Sequence, residues 1–167
     1  IDMNTGTGWP FGGPEVSIEE AASKAIFQTY EIEGGQEIVQ DINVADKKQQ
    51  PYSVLSRVMA YDGNGRCINL TSHVRKDKLE WKAPAGKWKV IALYNGKTRQ
   101  KVKRAAPGGE GYVMNHLSKS AVKSYLSRFD RAFKSSKTSY PHTFFNDSYE
   151  VYQADWTEDF LDQFARR

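Results

Sequence analysis

Ser53-Val54-Leu55-Ser56-Arg57-Val58-Met59-Ala60-Tyr61-Asp62-Gly63-Asn64-Gly65-Arg66-Cys67-Ile68-Asn69-Leu70 sets two strand-like runs on either side of Asp62-Gly63-Asn64-Gly65. The four central residues tolerate positive φ, so the stretch reads as a β-hairpin. Downstream, Leu79-Glu80-Trp81 alternates before the turn Pro84-Ala85-Gly86. Trp88-Lys89-Val90-Ile91-Ala92-Leu93-Tyr94 is the clearest strand, expected to end at Asn95-Gly96, and Gln100-Lys101-Val102-Lys103-Arg104 follows. Upstream, Ala25-Ile26-Phe27-Gln28-Thr29-Tyr30-Glu31-Ile32 reads as a strand that stops at Gly34-Gly35. Short strands with tight turns and no long helix predict an antiparallel β-sandwich over residues 18–106. Trp81, Trp88, Ile91 and Leu93 are its expected core. The competing reading makes the tryptophans a sugar-binding face.

Composition narrows the function classes. The chain has 167 residues, with 24 Lys+Arg against 20 Asp+Glu, a net charge of +4. That excess is small and spread out, and nucleic acid is not implied. The densest basic run, Lys97, Arg99, Lys101, Lys103 and Arg104, is nearly alternating, which suits the wet face of a strand better than a phosphate groove. No apolar run is long enough to span a bilayer. The lone Cys67 excludes an internal disulfide and a Cys-based zinc cluster, and is expected to be a buried structural thiol.

Outside the β block the character changes. Residues 1–17 form a Gly-, Thr- and Pro-rich loop around Trp9, and residues 105–112 are a second glycine-rich loop. Residues 117–133 predict an amphipathic helix with Ala121, Val122, Tyr125, Leu126, Phe129 and Phe133 on one face. Phe144-Phe145-Asn146-Asp147-Ser148-Tyr149-Glu150-Val151 then reads as a short strand ending in acids. A final helix is expected over 157–165, capped by Asp155 or Thr157, with Phe160, Leu161 and Phe164 on one face. Helix, strand and helix in that order suit a parallel α/β layer, with residues 107–167 belonging to it. A parallel strand that ends in carboxylates is how barrel enzymes present catalytic acids; a turn with solvated acids is the plainer alternative. The ends at Ile1 and Arg167 read as cuts through a larger protein.

Three motifs resemble, in order, signatures of the glycoside hydrolase family 106 α-L-rhamnosidases. They are Asp2-Met3-Asn4-Thr5-Gly6-Thr7-Gly8-Trp9-Pro10-Phe11-Gly12-Gly13-Pro14, Lys103-Arg104-Ala105-Ala106-Pro107-Gly108-Gly109-Glu110-Gly111, and Phe145-Asn146-Asp147-Ser148-Tyr149-Glu150-Val151. The resemblance implies a large secreted or periplasmic bacterial enzyme with a (β/α)8 catalytic barrel. It implies removal of terminal rhamnose from plant polysaccharides with inversion, and calcium at the active site. The fold expected is therefore α+β, an antiparallel β-sandwich-like insertion attached to part of a (β/α)8-type barrel, with residues 1–17 as a barrel strand end and active-site loop.

Inverting glycoside hydrolysis needs a protonated acid for the leaving oxygen and a carboxylate to activate water, about 6.5–9.5 Å apart. Glu150 is the expected acid. It has the longer side chain of the pair, Tyr149, Val151 and Tyr152 would raise its pKa by desolvation, and by similarity it falls at the family's catalytic position. Asp147 would orient a sugar hydroxyl or support Glu150. Trp9 would stack on a sugar ring, and Arg104 and Glu110 would bind sugar hydroxyls or pair with each other. That both acids are structural stays open. His116 and His142 are candidate site residues or ordinary cap and surface histidines. No metal-ligand motif is present, so calcium is expected only in the full-length enzyme. The expected partner is an oligosaccharide or polysaccharide, and self-association through uncovered helix faces is expected. The rival function is a noncatalytic carbohydrate-binding or interaction domain; a third is a spacer without ligand.

Overall fold

Alternating apolar and polar residues build two sheets between residues 25 and 96 of the computed structural model, which describes residues 9–143 and 150–167. The chain divides into two compact units: Ala25–Gly96, and Lys97–Arg167 together with the segment ending at Lys24.

In the first unit, β2 (Ser23–Glu33), β8 (Lys87–Lys97), β4 (Val54–Asp62) and β5 (Cys67–Asn69) form a sheet in that spatial order. β3 (Glu37–Asp41), β7 (Lys78–Lys82) and β6 (Val74–Arg75) form the other. The β4–β5, β4–β8, β3–β7 and β6–β7 ladders are antiparallel. The hairpin forms as read: Asp62 Oδ1 accepts from the amides of Asn64 (2.9 Å) and Arg66 (2.8 Å), and Gly65 takes φ +84°. Both sheets contribute to one core of Ile32, Val58, Ala60, Leu79, Trp81, Trp88, Val90, Ala92 and Tyr94.

Several expectations are corrected here. β8 runs through Asn95 and Gly96 to Lys97. Its set in the main core is Trp88, Val90, Ala92 and Tyr94; Ile91 and Leu93 lie on the other face, because side chains alternate along a strand, and there Leu93 is buried as expected while Ile91 is only half-buried. Trp81 and Trp88 are only 7% and 2% exposed and meet edge to face at 5.2 Å, so they cannot form a sugar platform. Trp88 Nε1 is also tied to the Pro84 carbonyl at 2.9 Å. Cys67 is exposed rather than buried, since β5 lies at the edge of its sheet and Cys67 faces out opposite Tyr61. β3 and β6 are additional to the strands read from sequence.

In the second unit, β1 (Gly12–Gly13) pairs antiparallel with β9 (Tyr112–Val113). The backbones approach so closely that a Cβ on Gly12 would overlap the Tyr112 carbonyl, and one on Gly111 the Gly13 carbonyl. Helix α1 (Lys119–Ser136) starts where Ser118 accepts from the Ala121 amide (3.4 Å) and ends at Lys137, φ +53°. Its inner face packs Tyr125 with Val16, Ala21 and Met114, and Val122, Leu126 and Phe129 lean on them. Helix α2 (Phe160–Arg166) is shorter than expected, and Asp159 rather than Asp155 or Thr157 precedes it, without a side-chain cap bond. Phe160 and Phe164 are 41% and 75% exposed. Of the strand expected over 144–151, residues 144–149, Asp147 among them, lie outside the described residues, and Glu150 and Val151 belong to no strand. No helix among the described residues is long and apolar enough to cross a membrane.

Candidate active site

Trp9 and Lys103 face each other across an antiparallel bridge, with the Trp9 amide 2.9 Å from the Lys103 carbonyl and the reciprocal bond at 2.6 Å. Opposed residues on neighbouring strands project on the same side, so Trp9 and Lys103 share a face. Val102 between Lys101 and Lys103 points the other way, into a small core with Ala22 and Val113. That inward valine turns Lys101 and Lys103 outward. Lys101 Nζ sits 3.2 Å from the centre of the Tyr112 ring, and Lys103 Nζ 5.3 Å from that of Tyr152. The chain then turns sharply at Arg104, φ +53°, before Ala105 returns to the same core.

Glu150 arrives from a distant part of the sequence. Its φ is +34°, in the left-handed region that non-glycine residues seldom adopt. The Gln100 side chain holds it there. Nε2 donates to the Glu150 carbonyl and Oε1 accepts from the Tyr152 amide, both at 2.9 Å. Val151 and Ala154 pack on the Val102 core and anchor the segment from behind.

The result is a cleft of about 400 Å³ lined by Trp9, Lys103, Arg104 and Glu150. Three residues singled out from sequence, Trp9, Arg104 and Glu150, thus meet in one concavity. Glu110 is exposed and is not among its described lining residues, and no Arg104–Glu110 ion pair forms among the described residues. Lys103 was not singled out; the alternation around Val102 was the signal for it. Glu150 is exposed, and Tyr152 beside it is 57% exposed, so the described neighbours do not enclose the carboxyl in apolar surroundings as expected. His116 is half-buried, and burial pushes its imidazole pKa down; His142 is exposed, and neither lines the cleft.

The basic run also departs from a wet strand face. Lys97 is half-buried and donates to the Glu19 carbonyl (2.7 Å), the Ala21 carbonyl (3.3 Å) and Ser23 Oγ (3.0 Å). Burial lowers its pKa, opposed by the charges of Glu158 and Glu19. Glu158 is a structural carboxylate: Oε1 accepts from Ser118 (3.1 Å) and Ser120 (3.3 Å), and Oε2 from Thr157 (3.1 Å).

The family model described as alpha-L-rhamnosidase, glycoside hydrolase family 106, matches residues 44–167. The chain belongs to this family. Over 102 residues, 58% of the chain, it is also 34% identical to a Formosa agariphila protein named "Putative beta-glucuronidase". The match spans 9% of that relative's length. No solved structure matches the chain. Family membership makes this a glycoside hydrolase-related protein, and the matched region contains Lys103, Arg104 and Glu150 of the cleft.

Proposed function

We propose that the protein containing this chain hydrolyses terminal α-L-rhamnosyl linkages of plant polysaccharide by inverting acid/base catalysis. The observation that carries this is the joining of Trp9, Arg104 and Glu150 in one cleft within a family described as alpha-L-rhamnosidase. Glu150 acts as general acid and gives its proton to the glycosidic oxygen as the bond breaks. A second carboxylate activates the water that attacks from the opposite face. Trp9 stacks on a sugar ring, Arg104 bonds sugar hydroxyls, and Asp147 orients a hydroxyl or supports Glu150. Glu110, which is exposed and not among the described lining residues, is also proposed to bind sugar hydroxyls.

The parent enzyme is proposed to be secreted or periplasmic and to carry a (β/α)8 barrel to which residues 1–17 and 107–167 contribute. Calcium is proposed for the full-length enzyme alone: among the described residues no group of three or more His, Cys, Asp or Glu side chains is placed to hold a metal, and no step is routed through one. Glu150 is the one carboxylate among the described lining residues, and the chain alone is expected to be inactive. Exposed Phe160 and Phe164 support self-association; a clean monomer by light scattering at high concentration would count against it.

The test is turnover of an aryl α-L-rhamnoside by the full-length protein and by Glu150→Gln, with and without a chelator. Loss of turnover in a folded Glu150→Gln supports the acid role. Near-normal turnover makes Glu150 structural and removes the assignment.

A further inference from the structure

Lys103 and Arg104 are adjacent in sequence, yet both line the cleft. Consecutive residues of a regular strand point to opposite sides, so this requires a break in the strand. The left-handed backbone at Arg104, φ +53°, supplies that break. Strained backbone of this kind persists where the surrounding structure enforces it, and it concentrates at ligand sites. Glu150 across the cleft is held in the same region of φ.

Both cationic heads are exposed. Neither enters an ion pair among the described residues, and the Glu150 carboxylate does not close on them. Lys103 Nζ lies over the Tyr152 ring, 5.3 Å away. The described lining therefore offers two positive charges, one carboxylate and an indole. Neutral sugars need hydroxyl partners and an aromatic face. Two exposed cations at one edge, without an ion pair among the described residues, answer a different need, the oxyanion of a charged sugar, which a guanidinium can hold through two parallel bonds.

We propose that Lys103 and Arg104 form a recognition edge for an anionic saccharide, a sugar bearing a carboxylate or a sulfate ester, with Trp9 against the apolar face of the ring. This rests on the reading of the cleft as the saccharide site. It adds that the saccharide chain which the site accepts is acidic, the anion lying against Lys103 and Arg104. Its cost of desolvation is small because the edge is open to solvent, and its salt sensitivity is correspondingly high.

Calorimetric titration of the full-length Glu150→Gln protein tests this. The probes are a rhamnosyl-uronate disaccharide, its carboxyl-reduced neutral form, and the neutral form carrying one sulfate ester. The acidic disaccharide is expected to bind about tenfold more tightly than the neutral one. The preference should shrink in Lys103→Gln and Arg104→Gln, persist in Lys103→Arg, and fade at high salt. The carboxylate and sulfate probes identify which anion is preferred. Equal affinity for charged and neutral probes, or a preference unchanged in both Gln variants with native circular dichroism, overturns the proposal. Aryl α-L-rhamnoside turnover by the wild type separates the two readings. Turnover without an anion preference removes only this inference; an anion preference without turnover removes the rhamnosidase reading.

Discussion

Gln100 holds the main chain at Glu150 by a two-point contact: its Nε2 donates to the Glu150 carbonyl and its Oε1 accepts from the Tyr152 amide, both at 2.9 Å. The bonds fix a backbone whose φ of +34° would otherwise relax. Gln100 is not itself among the described lining residues and bonds the main chain behind the Glu150 carboxyl, so its effect on chemistry is one of positioning. Gln100→Ala is expected to lower kcat about tenfold or more with little change in KM, because a misplaced acid loses alignment before binding is lost. Thermal melting should move little, since exposed hydrogen bonds contribute about 1 kcal/mol or less. A parallel fall in melting temperature and activity would assign Gln100 a purely structural role.

The glycine before Tyr112 is a matter of space. A Cβ on Gly111 would overlap the Gly13 carbonyl and lie 2.6 Å from Pro14 N. The obstruction is backbone on the β1 side, which cannot rotate away. Gly111→Ala is expected to destabilise by about 2 kcal/mol or more and to disturb the neighbouring Lys101–Tyr112 bridge. Gly63→Ala in the hairpin turn is the control: nothing lies within 4 Å of its Cβ position. It should change stability by no more than about 0.5 kcal/mol. Equal effects in urea titrations of the two variants would refute the close-approach argument.

Tyr94 carries its ring into the β core, but its buried hydroxyl has no hydrogen-bond partner among the described residues. Burial, aided by nearby Tyr30, pushes its pKa well above the ordinary tyrosine value. An unsatisfied buried hydroxyl is a cost that the phenyl ring avoids. Tyr94→Phe should leave stability unchanged or raise it by up to about 1 kcal/mol. A loss of more than that would mean the hydroxyl has found a bound water.

The hairpin around Asp62–Gly65 was legible because both turn chemistry and flanking alternation are local. The strand Val54–Asp62 lies within one residue of its reading. β3 was not legible. Glu37-Ile38-Val39-Gln40-Asp41 is too polar to announce a strand, and it is held by its partner β7, with Ile38 opposite Trp81 and Asp41 bonded to Lys78 at 2.7 Å. In β8 Leu93 is buried as expected, but on the face opposite the main core; the alternation from Trp88 assigns Val90 and Ala92 to that core, and the larger Ile91 drew the assignment away from them. At the cleft, motif resemblance pointed to Trp9, Arg104 and Glu150 one by one. Lys103 was hidden because a basic run reads as solvated until the burial of Val102 and the turn at Arg104 give its members different directions.

Glu158 makes a pH dependence that can be worked out in sign. Its carboxylate pKa is held below the ordinary value of 4.5, first by its backbone hydrogen bond; burial opposes this, and the bonds from Ser118, Thr157 and Ser120 add to the lowering. A carboxylate whose folded pKa is depressed stabilises the fold above its unfolded value, and that contribution disappears as pH falls through the folded value. The window therefore lies below 4.5, where nearby Lys97 stays protonated and adds no titration of its own. Glu158→Gln removes the charge and keeps the shape. Its melting temperature should lie below that of the wild type at neutral pH, and the gap should close as pH drops from about 5 towards 3. Because Glu158 is mostly exposed, the gap is expected to be small and to narrow with added salt. A gap that stays constant across that range would show that the carboxylate's charge contributes nothing, leaving only the shape of the side chain to clip Thr157 to the start of α1.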